Sequence, residues 1–111
     1  MFSYTKQGAV KVISGDEPLN LENAAEAAKV CDEALGQGQP RLVFQLQNVP
    51  LIDSAGLELL LDVRDRCMQR GGALHLAAPS PLCRDILTAT LVAKEFAIFD
   101  DGLSAVGSFS Q

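Results

Sequence analysis

The hydrophobic and polar positions of the chain follow a strand-like period in some stretches and a helix-like period in others. Apolar or alternating runs predict strands at 2–13 (a hairpin that turns at Gln7-Gly8), 41–46, 73–77 and 96–99. Apolar residues at helical spacing predict helices at 21–35, 55–69, 81–90 and 103–109. Strands that alternate with helices in this way indicate an α/β fold with parallel pairings and right-handed crossovers.

Capping residues mark the boundaries of the predicted helices. Asn20 is suited to cap the first helix, which we expect to begin at Leu21 with that leucine on its apolar side. A glycine-rich stretch from Gly36 ends the same helix. Ser80 followed by Pro81 predicts the start of a later helix, because serine is a good cap and proline fits the first helical position.

The length and charge of the chain restrict its organisation and its partners. With 111 residues, 48% of them hydrophobic, the sequence predicts a single domain over 1–111. The net charge of −5 without a basic cluster argues against binding to nucleic acid. No stretch approaches the roughly 20 apolar residues that span a bilayer, and the first residues lack the apolar segment of a signal peptide. We therefore expect a cytoplasmic protein without direct membrane insertion, and a monomer as the default.

The cysteines and the single histidine are too dispersed to indicate a metal or other cofactor. Cys31, Cys67 and Cys83 form no closely spaced pair, and His75 stands alone in a predicted strand. We expect three reduced, mostly buried cysteines and no cofactor.

The chain is organised around residues 49–61, where an apolar run meets a polar turn and then a helical pattern. Asp53 and Ser54 separate the run that ends at Ile52 from the helix that continues through Leu57. Both are residue types that cap helices, so either could have only that structural role. The alternative is that Ser54 exposes a hydroxyl at the positive end of a helix, where anions such as phosphate are stabilised.

This stretch resembles the signature of the STAS domain, the family of bacterial anti-sigma factor antagonists and of the cytoplasmic tails of some anion transporters. The resemblance rests on Asp53, Ser54, Ala55, Gly56 and Leu57, and extends to Gly71-Gly72, ALHLA at 73–77, APSP at 78–81 and the region from Leu91 to Phe99. It implies a mixed, mostly parallel sheet of four to five strands with helices mainly on one face. It also implies that Ser54 is the phosphorylation site.

By the same resemblance, the protein is a phosphorylation-switched interaction domain. It would bind an anti-sigma factor or related serine kinase through unphosphorylated Ser54, release it when phosphorylated, and be reset by a serine phosphatase. Gly56 would admit the partner's backbone or a kinase-bound nucleotide. The helical pattern itself places Leu59 among polar residues, so we expect an exposed leucine near Ser54 that is a candidate partner contact. The implied partner-binding residues are Asp16, Asp53, Ser54, Ala55, Gly56, Leu57, Glu58 and Leu59.

One segment departs from the antagonist pattern and leaves the partner open. Antagonists often carry Gly-Glu-Leu-Asp where this chain has Gly15-Asp16-Glu17-Pro18. Asn23-Ala24-Ala25-Glu26 is instead similar to STAS proteins encoded beside chemotaxis-type genes. The alternative function is that of a STAS accessory subunit, which docks on the ATPase of a membrane lipid transporter without a phosphorylation cycle.

Nothing in the sequence indicates an enzyme. A serine nucleophile at Ser54 would need an adjacent base, for which His75 is the single histidine. The nucleophile-elbow pattern Gly-x-Ser-x-Gly fails because Ile52 stands at the first glycine position. No glycine-rich phosphate loop lies between a strand and a helix.

Overall fold

The computed structural model describes residues 1–110 and is built on one five-stranded mixed sheet. The strands are β1 (Phe2–Gln7), β2 (Val10–Gly15), β3 (Arg41–Gln45), β4 (Ala73–Ala77) and β5 (Ile98–Phe99). They lie side by side in chain order; β1 and β2 are antiparallel, and each later neighbour is parallel. This arrangement confirms the α/β, mostly parallel sheet implied by the resemblance.

Four α-helices and two short 3-10 helices complete the described residues. The helices are α1 (Ala24–Leu35), α2 (Ser54–Gln69), α3 (Pro81–Ala89) and α4 (Gly102–Gly107), and the 3-10 turns are Val92–Glu95 and Ser108–Ser110. Ser80 caps α3 as predicted, because its side chain accepts a hydrogen bond from the backbone N–H of Cys83. Within residues 1–110, no helix combines the length and the apolar character needed to cross a bilayer.

The two faces of the sheet are covered unequally. Leu42 and Phe44 of β3 point to the main core, which includes buried residues of α1, α2 and α3. Val43, on the opposite face, belongs to a smaller core that includes Ala105 of α4. The central strand is therefore buried on both sides, as its continuous apolar run predicted, and the helices lie mainly on one face.

The start of the first helix was predicted wrongly. Residues 21–23 form a turn, and α1 begins at Ala24. Asn20 accepts the backbone N–H of Asn23, so its side chain closes this turn and does not cap the helix. Leu21 is 78% exposed instead of lying on the apolar side of a helix. Because the side chain of Asn20 binds a backbone N–H in a turn, α1 begins about one turn later than predicted.

The remaining boundaries differ by smaller amounts. The last strand is only two residues long, because Val92–Glu95 form a 3-10 turn before it. The terminal helix is α4 followed by the second 3-10 turn, in place of one helix over 103–109. Since β2 to β5 run parallel, their carboxyl ends meet at one edge of the sheet, and the segment that leads from β3 into α2 lies there.

Candidate functional site

In the polar turn before α2, one residue caps the helix and the next residue carries the exposed hydroxyl. Asp53 has an extended backbone (φ −101°, ψ −171°), and its Oδ1 accepts the backbone N–H of Gly56 at 3.0 Å. Asp53 is therefore the N-cap. Ser54 is the first residue of the helix, and its side chain is exposed to solvent. Capping thus accounts for the aspartate and leaves the serine hydroxyl facing outward at the positive end of a 16-residue helix.

The second carboxylate oxygen of Asp53 binds a different part of the chain. Its Oδ2 accepts the backbone N–H of Leu21 at 3.1 Å. The backbone N–H of Gly56, followed by that of Leu21, holds the pKa of Asp53 below its ordinary value. An ionised carboxylate therefore joins the first turn of α2 to the turn before α1.

A buried backbone contact fixes the same two segments together. Leu19 pairs with Ile52 in a parallel β-bridge, and both side chains are buried. The N–H of Leu19 donates to the carbonyl of Leu51 at 3.0 Å, and the N–H of Asp53 donates to the carbonyl of Leu19 at 3.1 Å. Leu19 and Leu21 were not predicted as parts of this site, although an isolated leucine between Pro18 and Asn20 was the signal for a buried anchor.

The predicted role of Gly56 needs correction. Gly56 is buried, and a Cβ atom added there would lie 2.1 Å from the carbonyl oxygen of Leu19 and 2.9 Å from Cγ2 of Ile52. The close approach that this glycine permits is therefore that of the chain's own Leu19 segment. It does not provide space for a partner's backbone or for a nucleotide.

The other predicted residues of α2 differ in exposure. Ser54 and Glu58 are exposed one turn apart, and Ala55 is partly exposed beside them. Leu57 and Leu59 are both half-buried and pack against the main core. Leu59 was predicted to be an exposed leucine, but the core beneath α2 is wide enough to take up part of its side chain.

Asp16 does not bond to the turn at 53–56. Its Oδ1 lies 2.8 Å from the amino group of Met1, which also pairs with Glu17. The amino group holds the pKa of Asp16 below its ordinary value. Asp16 remains on the loop that follows β2, at the same edge of the sheet as Ser54.

His75 lies on the opposite face of the sheet from α2. Its Nδ1 is 2.8 Å from Oγ of Ser108, and its ring stacks on Phe109 with centroids 4.3 Å apart. His75 is therefore not positioned as a base for Ser54. The three cysteines are free and buried, as predicted, and residues 1–110 contain no group of three potential metal ligands.

Comparison with known proteins assigns the family of the chain. The family model of the STAS domain matches residues 1–105. The Thermotoga maritima protein TM1081, which is assigned as an anti-sigma factor antagonist, is 26% identical, with a TM-score of 0.90 over 99% of this chain and 95% of that one. No curated protein matches the sequence.

Two more distant structures share the fold. Unphosphorylated SpoIIAA, an anti-sigma factor antagonist from Bacillus, is 17% identical, with a TM-score of 0.83 over 99% of this chain and 96% of that one. A sulfate transporter family protein from Wolinella succinogenes is 20% identical, with a TM-score of 0.78 over 94% of this chain and 87% of that one. The fold therefore occurs both in antagonists and in a protein of a transporter family.

Proposed function

We propose, since the chain belongs to the STAS domain family, that it is a phosphorylation-switched interaction domain of the anti-sigma factor antagonist type. It binds an anti-sigma factor or related serine kinase when Ser54 is unphosphorylated and releases that partner when Ser54 carries phosphate. A serine phosphatase restores the binding form. The similarity to TM1081 and to SpoIIAA supports this proposal, and SpoIIAA itself has been solved with and without phosphate.

The observation that carries the proposal is the division of roles between Asp53 and Ser54. Asp53 accepts the two side-chain hydrogen bonds that hold the turn, while Ser54 takes part in neither of them and is exposed. A kinase can therefore modify the hydroxyl without breaking a contact that holds the fold.

Phosphorylation has opposite consequences in the free domain and in a complex. A phosphate adds about −1.5 to −2 charges and three acceptor oxygens. In the free protein the α2 terminus stabilises this anion by roughly 0.3–1 kcal/mol, while ionised Asp53 opposes it. In a complex that encloses the hydroxyl, an unpaired buried charge costs several kcal/mol, which is on the order of a thousandfold in affinity. The second effect is larger, so the partner dissociates while the domain stays folded.

The first test is the intact mass of the protein purified from its native host, before and after treatment with a serine phosphatase. We expect a removable phosphate adduct that maps to Ser54. Ser54→Ala should keep the fold and lose all phosphate uptake from the cognate kinase. Phosphate uptake by Ser54→Ala would show that the site is assigned to the wrong residue.

The second test separates the effect of charge at the site from the effect of added charge in general. Ser54→Asp should weaken partner binding. The matched control is Ser104→Asp, because Ser104 is also exposed in a first helical turn but belongs to α4 on the other face of the sheet. Equal affinity of Ser54→Asp and wild type would refute release by charge.

The transporter alternative is a constitutive subunit that docks on an ATPase. The fold similarity to a sulfate transporter family protein supports it. In that case the protein stays unphosphorylated under all growth conditions, and the partner that co-purifies is an ATPase whose binding is the same with and without phosphatase treatment.

A further inference from the structure

We propose that Leu21 and Leu51 are the apolar anchors of the surface through which the chain docks its partner, which is a protein with an apolar recess and a basic rim. This inference rests on the proposed function, because it places the anchors around Ser54. Leu21 is 78% exposed and Leu51 is 37% exposed. Five of the sixteen leucines are exposed. Exposed leucines that are scattered singly need no explanation, whereas two beside the same turn do.

The backbone of each leucine is fixed by a hydrogen bond between segment 19–21 and segment 51–53, which leads into Ser54. The N–H of Leu21 donates to Oδ2 of Asp53, the residue directly before the serine. The carbonyl of Leu51 accepts the N–H of Leu19, whose side chain is fully buried. Because the backbone is already fixed, docking orders little more than two side chains, and apolar burial is offset by a small loss of entropy.

The charge around these anchors indicates the chemistry of the partner. The segments 12–28 and 42–63 include the connections from β2 to α1 and from β3 to α2, where the anchors lie, and they contain no lysine, arginine or histidine. They contain seven acidic residues, Asp16, Glu17, Glu22, Glu26, Asp53, Glu58 and Asp62. Asp16 and Glu17 pair with the amino group of Met1, so the other five supply most of the negative charge. A surface with apolar anchors inside an acidic surround is complementary to a recess with a basic rim.

The same charges disfavour the other occupants. A second copy of this chain would bring an equally acidic surface to the contact, and like charges across an interface cost several kcal/mol. Nucleic acids and anionic lipid headgroups are repelled for the same reason. A different protein with positive charge around its binding recess is the occupant that fits.

The anchors and the rim affect different steps of binding. The acidic rim increases the association rate and makes it depend on salt, whereas the apolar centre controls dissociation. A phosphate on Ser54 lies beside the leucines at the centre, where it loses water without gaining a partner. Release by phosphorylation is therefore compatible with attraction at the rim.

The experiment uses the whole chain and one identified partner. The protein that co-purifies with the wild-type chain is identified by mass spectrometry and expressed, and its binding kinetics are measured with each variant; capture alone does not support the proposal. Leu21→Ser and Leu51→Ser should each raise Kd about tenfold or more, mainly through faster dissociation. The matched control is Leu103→Ser, because Leu103 is 82% exposed on α4 and its variant should bind like wild type.

A second pair of variants tests the rim. Glu22→Gln combined with Glu58→Gln should slow association severalfold at low salt and reduce its salt dependence. Glu33→Gln is the control, since Glu33 is exposed near the end of α1 and should change neither value. Unaltered thermal unfolding of every variant shows that the fold is intact, as expected for exposed positions.

The outcomes separate this inference from the proposed function. If Leu21→Ser and Leu51→Ser bind like wild type while Ser54→Asp binds weakly, the anchor role of the two leucines is refuted and release by charge at Ser54 is supported. If the leucine variants bind weakly while Ser54→Asp binds like wild type, the docking surface stands and the switch fails. If Leu103→Ser weakens binding as much as Leu21→Ser, the effect is not specific to this surface and the inference is overturned.

Discussion

The buried glycine in the first turn of α2 makes a strong prediction about stability. In Gly56→Ala the new Cβ would lie 2.1 Å from the carbonyl oxygen of Leu19, which is closer than real Cβ contacts come. Relief requires a backbone displacement of about 1 Å, because the opposing atom is a main-chain oxygen and cannot rotate away. That oxygen also accepts the N–H of Asp53, so the displacement weakens the hydrogen bond that seats the turn.

The size of the effect follows from three contributions. Forcing an extra methyl group into packed structure costs about 1–3 kcal/mol. Weakening the hydrogen bond to Leu19 costs about a further 1 kcal/mol. Alanine is the better helix former than glycine by up to about 1 kcal/mol, which partly offsets both losses. We expect Gly56→Ala to lower the free energy of unfolding by about 1–3 kcal/mol, which is a fall in Tm of roughly 5–15 °C for a domain of this size.

The assay is urea unfolding together with thermal melts, and the chain offers a matched control. Gly107 is also helical, but an added Cβ there meets no atom within 4 Å. Gly107→Ala should be neutral or slightly stabilising. If Gly56→Ala is as stable as Gly107→Ala, Gly56 is not packed against Leu19 in solution, and its role as an open approach for a partner is restored.

Two further predictions concern the half-buried His75 and the three buried cysteines. Burial lowers the pKa of His75, so the folded state favours the neutral ring; stability should be constant above about pH 6.5 and fall as the pH drops below it. His75→Gln should remove this slope in thermal melts between about pH 5.5 and 7.5, and an unchanged slope would assign it to other groups. Burial raises the pKa of Cys31 to about 12 and that of Cys67 to about 11, and Cys83 is also buried. A thiol reagent at about pH 8 should label all three cysteines only after unfolding, and rapid labelling of the native protein would contradict this burial.

The sheet and most helices were predictable because their signals are local. The continuous apolar run in β3 reflects burial on both faces, and the Ser80-Pro81 pair marks a helix start by chemistry that needs no distant partner. The start of the first helix was predicted wrongly because Asn20 was suited both to a cap and to a turn. Only the surrounding structure decides whether Asn20 forms the cap or the turn.

The site was predictable in position but not in its contacts. The sequence places Ser54 at a helix terminus, and the structure agrees. It does not show that Leu19 crosses behind the turn, because that contact joins residues more than 30 positions apart. For the same reason Gly56 was interpreted as an opening toward a partner, whereas it is the point of closest approach within the fold.

The long-range contact also explains why the aspartate and the serine occupy adjacent positions. A carboxylate can accept at two oxygens, and Asp53 uses one for α2 and the other for Leu21. A serine at position 53 has one hydroxyl oxygen and no charge, so it could cap the helix but would hold the second segment less firmly. Because the hydroxyl stands one residue later, both hydrogen bonds of Asp53 form without it. The pair therefore consists of one side chain that joins the two segments and one exposed hydroxyl that takes no part in joining them.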